Sequence, residues 1–356
     1  MRAAGRGFGS YDPAEVTWLL TDLSDVALEV PTEDREELIQ GGRHYAEMLP
    51  VEFQPDEAYS ALFHRALAHS AGRLAQAVGL VGELLLAEHG GPPVLVSLAR
   101  AGTPVGILLR RWYAVAHGVD APHYAISIVR GRGIDDVAVR HVLARHPAEQ
   151  VRFVDGWTGK GAIARELAEA VRAYAGLDPR LAVLADPGSC TDLFGTRDDF
   201  LIPSACLNST VSGLVSRTVL RDDLIGPGMF HGAKHYAELA PADVSGVFLD
   251  AVSAAFTPVD AGPLLASDRS PTWSGWASVV DVAARYGIDD VNLVKPGVGE
   301  TTRVLLRRVP WQVLVRPDRA SELEHVRMLA EARGVPVVEV PDLAYSCIGL
   351  IRPSGR

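Results

Sequence analysis

Three apolar runs in the middle of the chain are each followed by a glycine-containing loop and then by a helical pattern. They begin at Val94, His123 and Val151, and a fourth apolar run spans residues 181–187. Apolar runs of this length, alternating with helices, are typical of buried parallel strands joined by right-handed crossovers. The sequence therefore predicts an α/β fold with a parallel sheet. Its ligands are expected beyond the carboxyl ends of the strands.

The loop after the Val151 run spans residues 154–161 and leads into a helix predicted over 163–174. The free N–H groups of such a loop and of the helix N-terminus favour an anion. The loop is not a Walker A motif, because Val154 stands where glycine is required and Gly161 replaces the Ser/Thr. The Rossmann glycine pattern is also absent. An ordinary strand–turn–helix without a ligand remains an alternative.

Composition limits the classes of function. The formal net charge of -10 argues against a polycation, so a nucleic-acid surface would have to be a local patch. Three scattered cysteines are too few for a disulfide framework or a zinc site. No secretory leader is visible, and no apolar stretch approaches the ~20 residues that span a bilayer. These features predict a cytoplasmic protein.

The chain divides by pattern into four parts. Residues 1–90 are expected to be a mainly helical N-terminal region or hood, and residues 91–257 carry the sheet. Residues 258–275 are rich in Pro, Ser, Gly and Asp, which is typical of a linker. Residues 276–356 alternate helices and strands and predict a second, smaller α-β-α sandwich.

The three loops resemble those of type I phosphoribosyltransferases. That resemblance implies a type I phosphoribosyltransferase-like sheet in which an acid holds the ribose of phosphoribosyl pyrophosphate. Gly156 departs from the family pattern, because a second acid is common there. The roles implied are catalytic for Asp155, Arg100, Arg130 and Arg132, and phosphate or pyrophosphate binding for Ala101, Gly102, Thr103, Gly156, Thr158, Gly159, Lys160 and Gly161.

The loop and helix that begin at Lys295 resemble the RNA-binding element of the pelota and kink-turn-binding ribosomal protein superfamily. Gly299 replaces the usual Asn, which removes an amide that contacts a base. The resemblance implies RNA binding through the C-terminal domain. The residues expected to take part are Lys295, Gly297, Gly299, Glu300, Thr302 and Arg303. A solvated basic helix with a purely structural role is the alternative.

Along nearly its whole length, the chain resembles phosphoribosyltransferase-like proteins with a C-terminal pelota domain, associated with tellurite-resistance and stress operons. The same family carries the label cysteine protease StiP. The resemblance implies a glycosyltransferase that moves ribose 5-phosphate to a base or base-like acceptor. Mg²⁺ is the cofactor expected with the pyrophosphate, and RNA is the expected partner of the C-terminal domain.

Residues 200–217 are apolar in outline but dense in small hydroxyl and amide groups. Buried polar groups need partners, and a ligand is one way to supply them. We expect this segment to form part of the acceptor pocket. The residues concerned are Ser204, Cys206, Asn208, Ser209 and Thr210. The alternative is a packed helix–loop with local side-chain-to-backbone bonds.

Two other functions remain open. Cys206 could be the nucleophile of a cysteine peptidase, with Asn208 nearby and His44, His231 or His235 as the base. A non-catalytic phosphoribosyl-ligand sensor that binds RNA is the third hypothesis. A repeat shared by residues 43–50 and 234–241 would suit either two arms over one site or matching contacts in a homodimer.

Overall fold

The computed structural model describes residues 2–5, 7–52 and 54–352, whose strands form four sheets. In chain order, the strands of these residues are β1 (Arg2–Ala3), β2 (Thr17–Trp18), β3 (Thr21–Asp22), β4 (Glu29–Val30), β5 (Leu49–Pro50), β6 (Val94–Ala99), β7 (His123–Val129), β8 (Gly133–Ile134), β9 (Val151–Trp157), β10 (Leu181–Ala185), β11 (Phe194–Thr196), β12 (Gly232–Ala233), β13 (Val294–Pro296), β14 (Pro310–Val315), β15 (Val337–Glu339) and β16 (Cys347–Ile351). Their α-helices are α1 (Thr32–Gln40), α2 (Glu57–His89), α3 (Thr103–His117), α4 (Asp136–Leu143), α5 (Ala162–Ala170), α6 (Ser245–Ala254), α7 (Gly262–Ala266), α8 (Ser274–Arg285), α9 (Val298–Arg307) and α10 (Glu324–Ala332).

The largest sheet has the strand order β11-β10-β9-β6-β7-β2, and β8 pairs with the C-terminal end of β7. Every neighbouring pair along this order is parallel, whereas β8 runs antiparallel to β7. The inner strands β6, β9 and β10 are almost entirely buried, as expected for strands covered on both faces. The predicted α/β fold with a parallel sheet is therefore confirmed.

Helices cover both faces of this sheet. Leu74 of α2, Leu108 of α3 and Phe248 of α6 belong to one buried cluster with Leu95 of β6. Val139 of α4 and Leu167 of α5 belong to the cluster on the other face, together with Val96 and Phe153 of the sheet. Since α3, α4 and α5 follow β6, β7 and β9 directly, the loops between them all lie at the carboxyl edge of the sheet.

The segment before α2 differs from the mainly helical region expected from the sequence. It holds five short strands and the single helix α1 within its described residues. Asp12 caps a turn rather than a helix, because its carboxylate accepts from the Ala14 N–H at 2.8 Å and the chain then enters β2 on the sheet edge. The predicted helical pattern is confirmed in α2, which begins at the Asp56 cap and ends at Gly90 in the left-handed conformation.

The C-terminal unit, formed by α8–α10 and β13–β16, contains a mixed sheet with the order β13-β16-β14-β15. Helices and strands alternate along this unit as predicted. Strand β16 was not predicted, although it is buried in the middle of this sheet. Its apolar run, Cys347–Ile351, is the signal that could have found it.

The linker segment packs against the sheet unit, by which we mean the seven-stranded sheet and its helices. The Trp273 N–H donates to the Ser189 carbonyl at 2.9 Å, and the Gly275 N–H donates to the Gly188 carbonyl at 3.2 Å. These bonds tie the start of α8 to the loop after β10. No helix in the described part of the chain combines the length and apolar character needed to cross a bilayer.

Candidate binding cleft between the two units

The loop between β9 and α5 is anchored from beneath by the loop after β10. The Thr158 N–H donates to the Ala185 carbonyl at 3.0 Å, and the Thr158 hydroxyl donates to the Asp186 carboxylate. Asp186 is fully buried and also accepts from the Cys190 and Thr191 N–H groups and from Arg197. The Thr158 hydroxyl therefore holds the loop in place.

Gly161 shows why this loop is rich in glycine. Its φ of +77° lies in the left-handed region, and a Cβ there would lie 2.3 Å from the Trp273 ring and 2.7 Å from the Cys190 sulfur. A side chain at this position would be strained and would also collide with packed neighbours. Glycine is therefore needed here because Trp273 and Cys190 pack against the loop. The loop motif alone does not show this.

The C-terminal unit rests directly on the same loop. The Tyr345 hydroxyl donates to the Gly159 carbonyl at 3.1 Å, and the Lys160 ammonium donates to the Val291 carbonyl at 2.5 Å. A Cβ at Gly299 would lie 2.9 Å from the Trp157 ring, so only glycine fits at this contact. Gly299, where the RNA-binding pattern has Asn, therefore packs against Trp157 of the sheet unit.

A cavity of about 720 Å³ lies between the two units, within the ~300–1,000 Å³ range of small-ligand sites. Its walls come from the loop after β9, from the segments around Tyr45 and Arg130, and from β13 and α9. Its cationic lining residues are Arg35, Arg130, Lys160, Arg217, Lys295, Arg303 and Arg308, and its carboxylates are Asp155, Asp290 and Glu300. The cavity wall is thus strongly cationic in a chain with a formal net charge of -10.

Burial and like charge shift several pKa values in the cavity. Burial raises the pKa of the Asp155 carboxyl to about 6, against the opposing effects of the Gly156 N–H and Arg303. The pKa of the Lys160 ammonium is lowered to about 7, first by burial and then by Lys295 and Arg130. A bound anion would stabilise such cations, because it favours the charged form of each side chain.

The loop after β6 does not contribute its predicted groups to the cavity, apart from Ala101. The Arg100 guanidinium points inward and donates to Asn208 Oδ1 at 2.7 Å and to Glu52 Oε1 at 3.2 Å. Gly102 packs so closely that a Cβ would lie 2.6 Å from the Val154 carbonyl oxygen. Thr103 is fully buried at the start of α3.

The loop after β7 divides its two arginines. Arg130 lines the cavity, where its guanidinium donates to Asn292 Oδ1 at 3.0 Å and lies 5.9 Å from the Tyr45 ring centroid. Arg132 lies outside the cavity lining and forms a salt bridge with Glu47 at 2.5 Å. Only the first of these predicted arginines is therefore placed to meet a ligand in the cavity.

The segment expected to form an acceptor pocket is internal packing. Asn208, Ser209 and Thr210 are buried, and none of the five residues singled out there lines the cavity. The Ser209 hydroxyl donates to Glu52 Oε2 at 2.9 Å, while Asn208 accepts from Arg100. These bonds are long-range rather than the local side-chain-to-backbone bonds of the alternative, and the Thr210 hydroxyl has no hydrogen-bond partner among the described residues. Arg217, at the end of the segment, does line the cavity.

The thiol of Cys206 is 1% exposed in the core beside α2, and its carbonyl accepts from the Tyr59 hydroxyl at 2.5 Å. Two of the three histidines considered as its base, His44 and His231, have other hydrogen-bond partners. The His44 ring nitrogen Nε2 lies 3.1 Å from the Arg130 carbonyl oxygen, and His231 Nδ1 lies 2.8 Å from the Ser127 hydroxyl. The peptidase arrangement considered from the sequence is therefore not assembled around these two rings.

The predicted RNA-binding loop and helix face the sheet unit. Lys295, Glu300 and Arg303 line the cavity, and the Arg303 guanidinium lies 4.4 Å from the Trp157 ring centroid. Thr302 is fully buried and donates to the Val298 carbonyl. The remaining two predicted positions, Gly297 and Gly299, are packing positions against Asp199 and Trp157.

Several cavity residues were not identified from the sequence. Tyr45 lies in the repeat at 43–50 and Arg217 ends the segment 200–217, but neither side chain was given a role, and Trp157 lies inside the loop motif without having been given one. Arg217 lies 5.1 Å from the Tyr45 ring centroid, so the two side chains form one part of the wall. Only the fold brings these distant segments together.

Fold and cleft together define a two-unit α/β protein, in which a parallel-sheet unit is closed by a smaller C-terminal unit. Residues 9–253 match the family described as "Tellurite-like stress resistance cysteine protease StiP", and residues 273–353 match the PELOTA RNA binding domain. A relative from Acinetobacter baylyi named "Cysteine protease StiP" is 35% identical over 371 aligned residues, covering 99% of this chain and 96% of the relative. The chain belongs to the StiP family.

These comparisons correct the activity expected from the sequence. Transfer of ribose 5-phosphate from phosphoribosyl pyrophosphate is contradicted, because both the family and the full-length relative are named as cysteine proteases. The finer assignment of the sheet to the phosphoribosyltransferase type is likewise unsupported. The Mg²⁺ expected with that substrate is untested, and the described residues contain no group of three or more His, Cys, Asp or Glu side chains suited to a metal.

Proposed function

We propose that this protein is a cysteine peptidase whose C-terminal unit binds RNA. The observation that carries the proposal is the match to the relative named "Cysteine protease StiP", since that match spans both units of this chain. The RNA-binding part is supported by the match of residues 273–353 and by the cations that α9 and β13 contribute to the cavity.

Cys206 is the nucleophile that we propose. Cys347 lies beyond the segment that matches the peptidase family. Burial, and then the charge of Asp186, raises the pKa of the Cys190 thiol to about 12, which opposes formation of the thiolate. Cys206 is buried as well, so Cys190→Ser is the variant that separates the two candidates. Because the Cys206 side chain is buried, a peptide can reach it only after the segments that cover it move.

Hydrolysis of fluorescein-labelled casein by the purified full-length chain tests the peptidase activity. We expect Cys206→Ser to lower the rate by at least about a hundredfold, as loss of a nucleophile does. Cys190→Ser and Cys347→Ser are matched controls and should keep the rate within about threefold. Thermal unfolding of each variant checks that the fold is intact.

Two results would overturn this assignment in different ways. Full activity in Cys206→Ser with loss in Cys190→Ser would move the nucleophile to the loop after β10. Absence of both hydrolysis and reaction with a thiol-directed epoxide in the wild-type chain would contradict the peptidase function itself. The RNA-binding part is tested separately, by fluorescence anisotropy with a labelled single-stranded RNA and the variant Lys295→Gln.

A further inference from the structure

The cavity cations come from both units, and neither match assigns the contribution of the sheet unit. Arg130, Lys160 and Arg217 lie in the sheet unit, whereas Lys295 and Arg303 belong to the RNA-binding unit. These residues come from four separate parts of the chain. Their convergence on one cavity therefore needs an explanation beyond the RNA-binding unit alone.

Four of the cavity cations form no ion pair with any residue that the structure describes. Among the residues that the structure describes, Arg130, Lys160, Arg217 and Lys295 have no carboxylate within salt-bridge distance. Arg130 and Lys160 donate only to neutral acceptors, an amide oxygen and backbone carbonyls. The cavity wall holds seven cations and only three carboxylates, Asp155, Asp290 and Glu300, among its described residues, so a bound anion would offset the excess positive charge.

Burial and like charge both act on the pKa values of these cations. Burial, and then the neighbouring Arg35, lowers the pKa of the Arg217 guanidinium to about 9. Burial lowers the pKa of the Lys295 ammonium to about 8; Glu300 opposes this shift, and nearby arginines add to it. Arg132, just outside the cavity, is paired with Glu47, and Arg303 in the cavity wall is paired with Glu300 at 2.9 Å. Arg130, Lys160, Arg217 and Lys295 thus differ from both of these arginines.

Aromatic rings lie between these cations. Tyr45 is flanked by Arg130 and Arg217, and Trp157 carries the Arg303 guanidinium on its ring. Cations interleaved with aromatic rings are typical of surfaces that bind single-stranded nucleic acid through phosphates and stacked bases. An acidic peptide would use the charges but would leave the rings without a role.

A second cavity of about 680 Å³ shares the lining residue Arg308 with the first, and its wall includes Trp311, Arg333 and Arg352. A chain that carries regularly spaced phosphates could contact both cavities, whereas a single free nucleotide would fill only one. The shared arginine therefore favours an RNA strand as the ligand.

We propose that the cavity between the units holds the phosphate-bearing end of a single-stranded RNA, bound by Arg130, Lys160 and Arg217 of the sheet unit together with Lys295 of the C-terminal unit. The proposal rests on the RNA-binding part of the proposed function and adds where the strand ends. The strand leaves past Arg308 and crosses the second cavity. RNA thus lies across the contact between the two units.

The test uses the full-length chain and a 5'-phosphorylated octauridylate with fluorescein at its 3' end, followed by anisotropy. We expect Arg130→Gln and Arg217→Gln each to raise Kd roughly tenfold, as expected for a lost charged hydrogen bond. Each should also reduce the salt slope of log K by about 0.7, the value for one phosphate contact on a single strand. Arg132→Gln is the matched control and should change neither quantity, because its side chain lies outside the cavity.

Each other outcome has a defined meaning. If Lys295→Gln weakens binding while Arg130→Gln and Arg217→Gln do not, the RNA-binding function stands and the composite site is wrong. If the wild-type chain does not bind the oligonucleotide, both statements are wrong. If uridine monophosphate competes with the labelled RNA as well as unlabelled RNA does, the ligand is a free nucleotide. If poly-glutamate does so, the ligand is an acidic peptide. Either result would overturn the inference.

Discussion

The loops after β6 and β9 leave two neighbouring parallel strands, yet they use their charged groups in opposite ways. Arg100 in the first loop turns inward to Glu52 and Asn208 and becomes part of the core. Lys160 in the second loop stays in the cavity and is held only by backbone carbonyls. Of these two basic loops at the sheet edge, only the one whose cation has no internal carboxylate partner contributes that cation to the cavity.

The largest expected effect is at Arg100. Replacing Arg100 with Met should lower the free energy of unfolding by about 3–5 kcal/mol, because Glu52 would remain buried without its cation. Urea unfolding measures the change. The double variant with Glu52→Gln should recover part of the loss, and a loss below about 1 kcal/mol in the single variant would show that the first loop is not held by this pair.

Gly161→Ala should cost about 2–4 kcal/mol, since it combines a left-handed backbone with collision against Trp273 and Cys190. Gly156→Ala, five residues earlier, is the matched control, because a Cβ there would meet nothing within 4 Å. Its effect should stay within about 0.5 kcal/mol. Thermal unfolding is measured for both variants. A loss in Gly161→Ala alone indicates close packing at Gly161, whereas equal losses would indicate that the whole segment is sensitive to substitution.

The pH dependence should follow the raised pKa of Asp155. Its folded pKa of about 6 exceeds the ordinary value of 3.8, so the folded state binds the proton more tightly than the unfolded state. This carboxyl therefore lowers stability as pH rises from about 4 to 6, by about 1–2 kcal/mol. Asp155→Asn should be more stable than wild type above pH 6, and the difference should disappear below about pH 4.

The control for that measurement has the opposite sign. A hydrogen bond from Tyr174 is the main cause that lowers the pKa of Asp136, outside the cavity. Asp136→Asn should therefore lose stability relative to wild type as pH rises from the lowered pKa to the ordinary value of 3.8, and the loss should stay constant above it. If stability relative to wild type changes with pH in the same direction in both variants, burial does not raise the pKa of Asp155.

The smallest expected effect is at Arg217. Since this cation has no ion pair among the described residues and faces other arginines, Arg217→Gln should not lower the free energy of unfolding and should raise it by about 1 kcal/mol at most. Urea unfolding beside Arg100→Met gives the direct contrast. A loss comparable to that of Arg100→Met would mean that Arg217 is a structural residue.

Much of the fold could be predicted because it depends on local pattern. The strands β6, β7, β9 and β10 and the helix α2 occur where the apolar runs and caps indicated them. Asp155 and Lys160 were found through the loop that carries them. Arg100 was placed wrongly, because a side chain's direction depends on which carboxylate is near it, and Glu52 lies far away in the sequence.

The sequence by itself determined the alternation of strands and helices, the glycine-rich loops and the family to which the chain belongs. Those features follow from side-chain periodicity and backbone preferences, which act over a few residues. The tertiary structure alone decided that Tyr45, Trp157, Arg217 and Lys295 share one cavity. That decision rests on the docking of the C-terminal unit on the loop after β9, through contacts between residues more than a hundred positions apart.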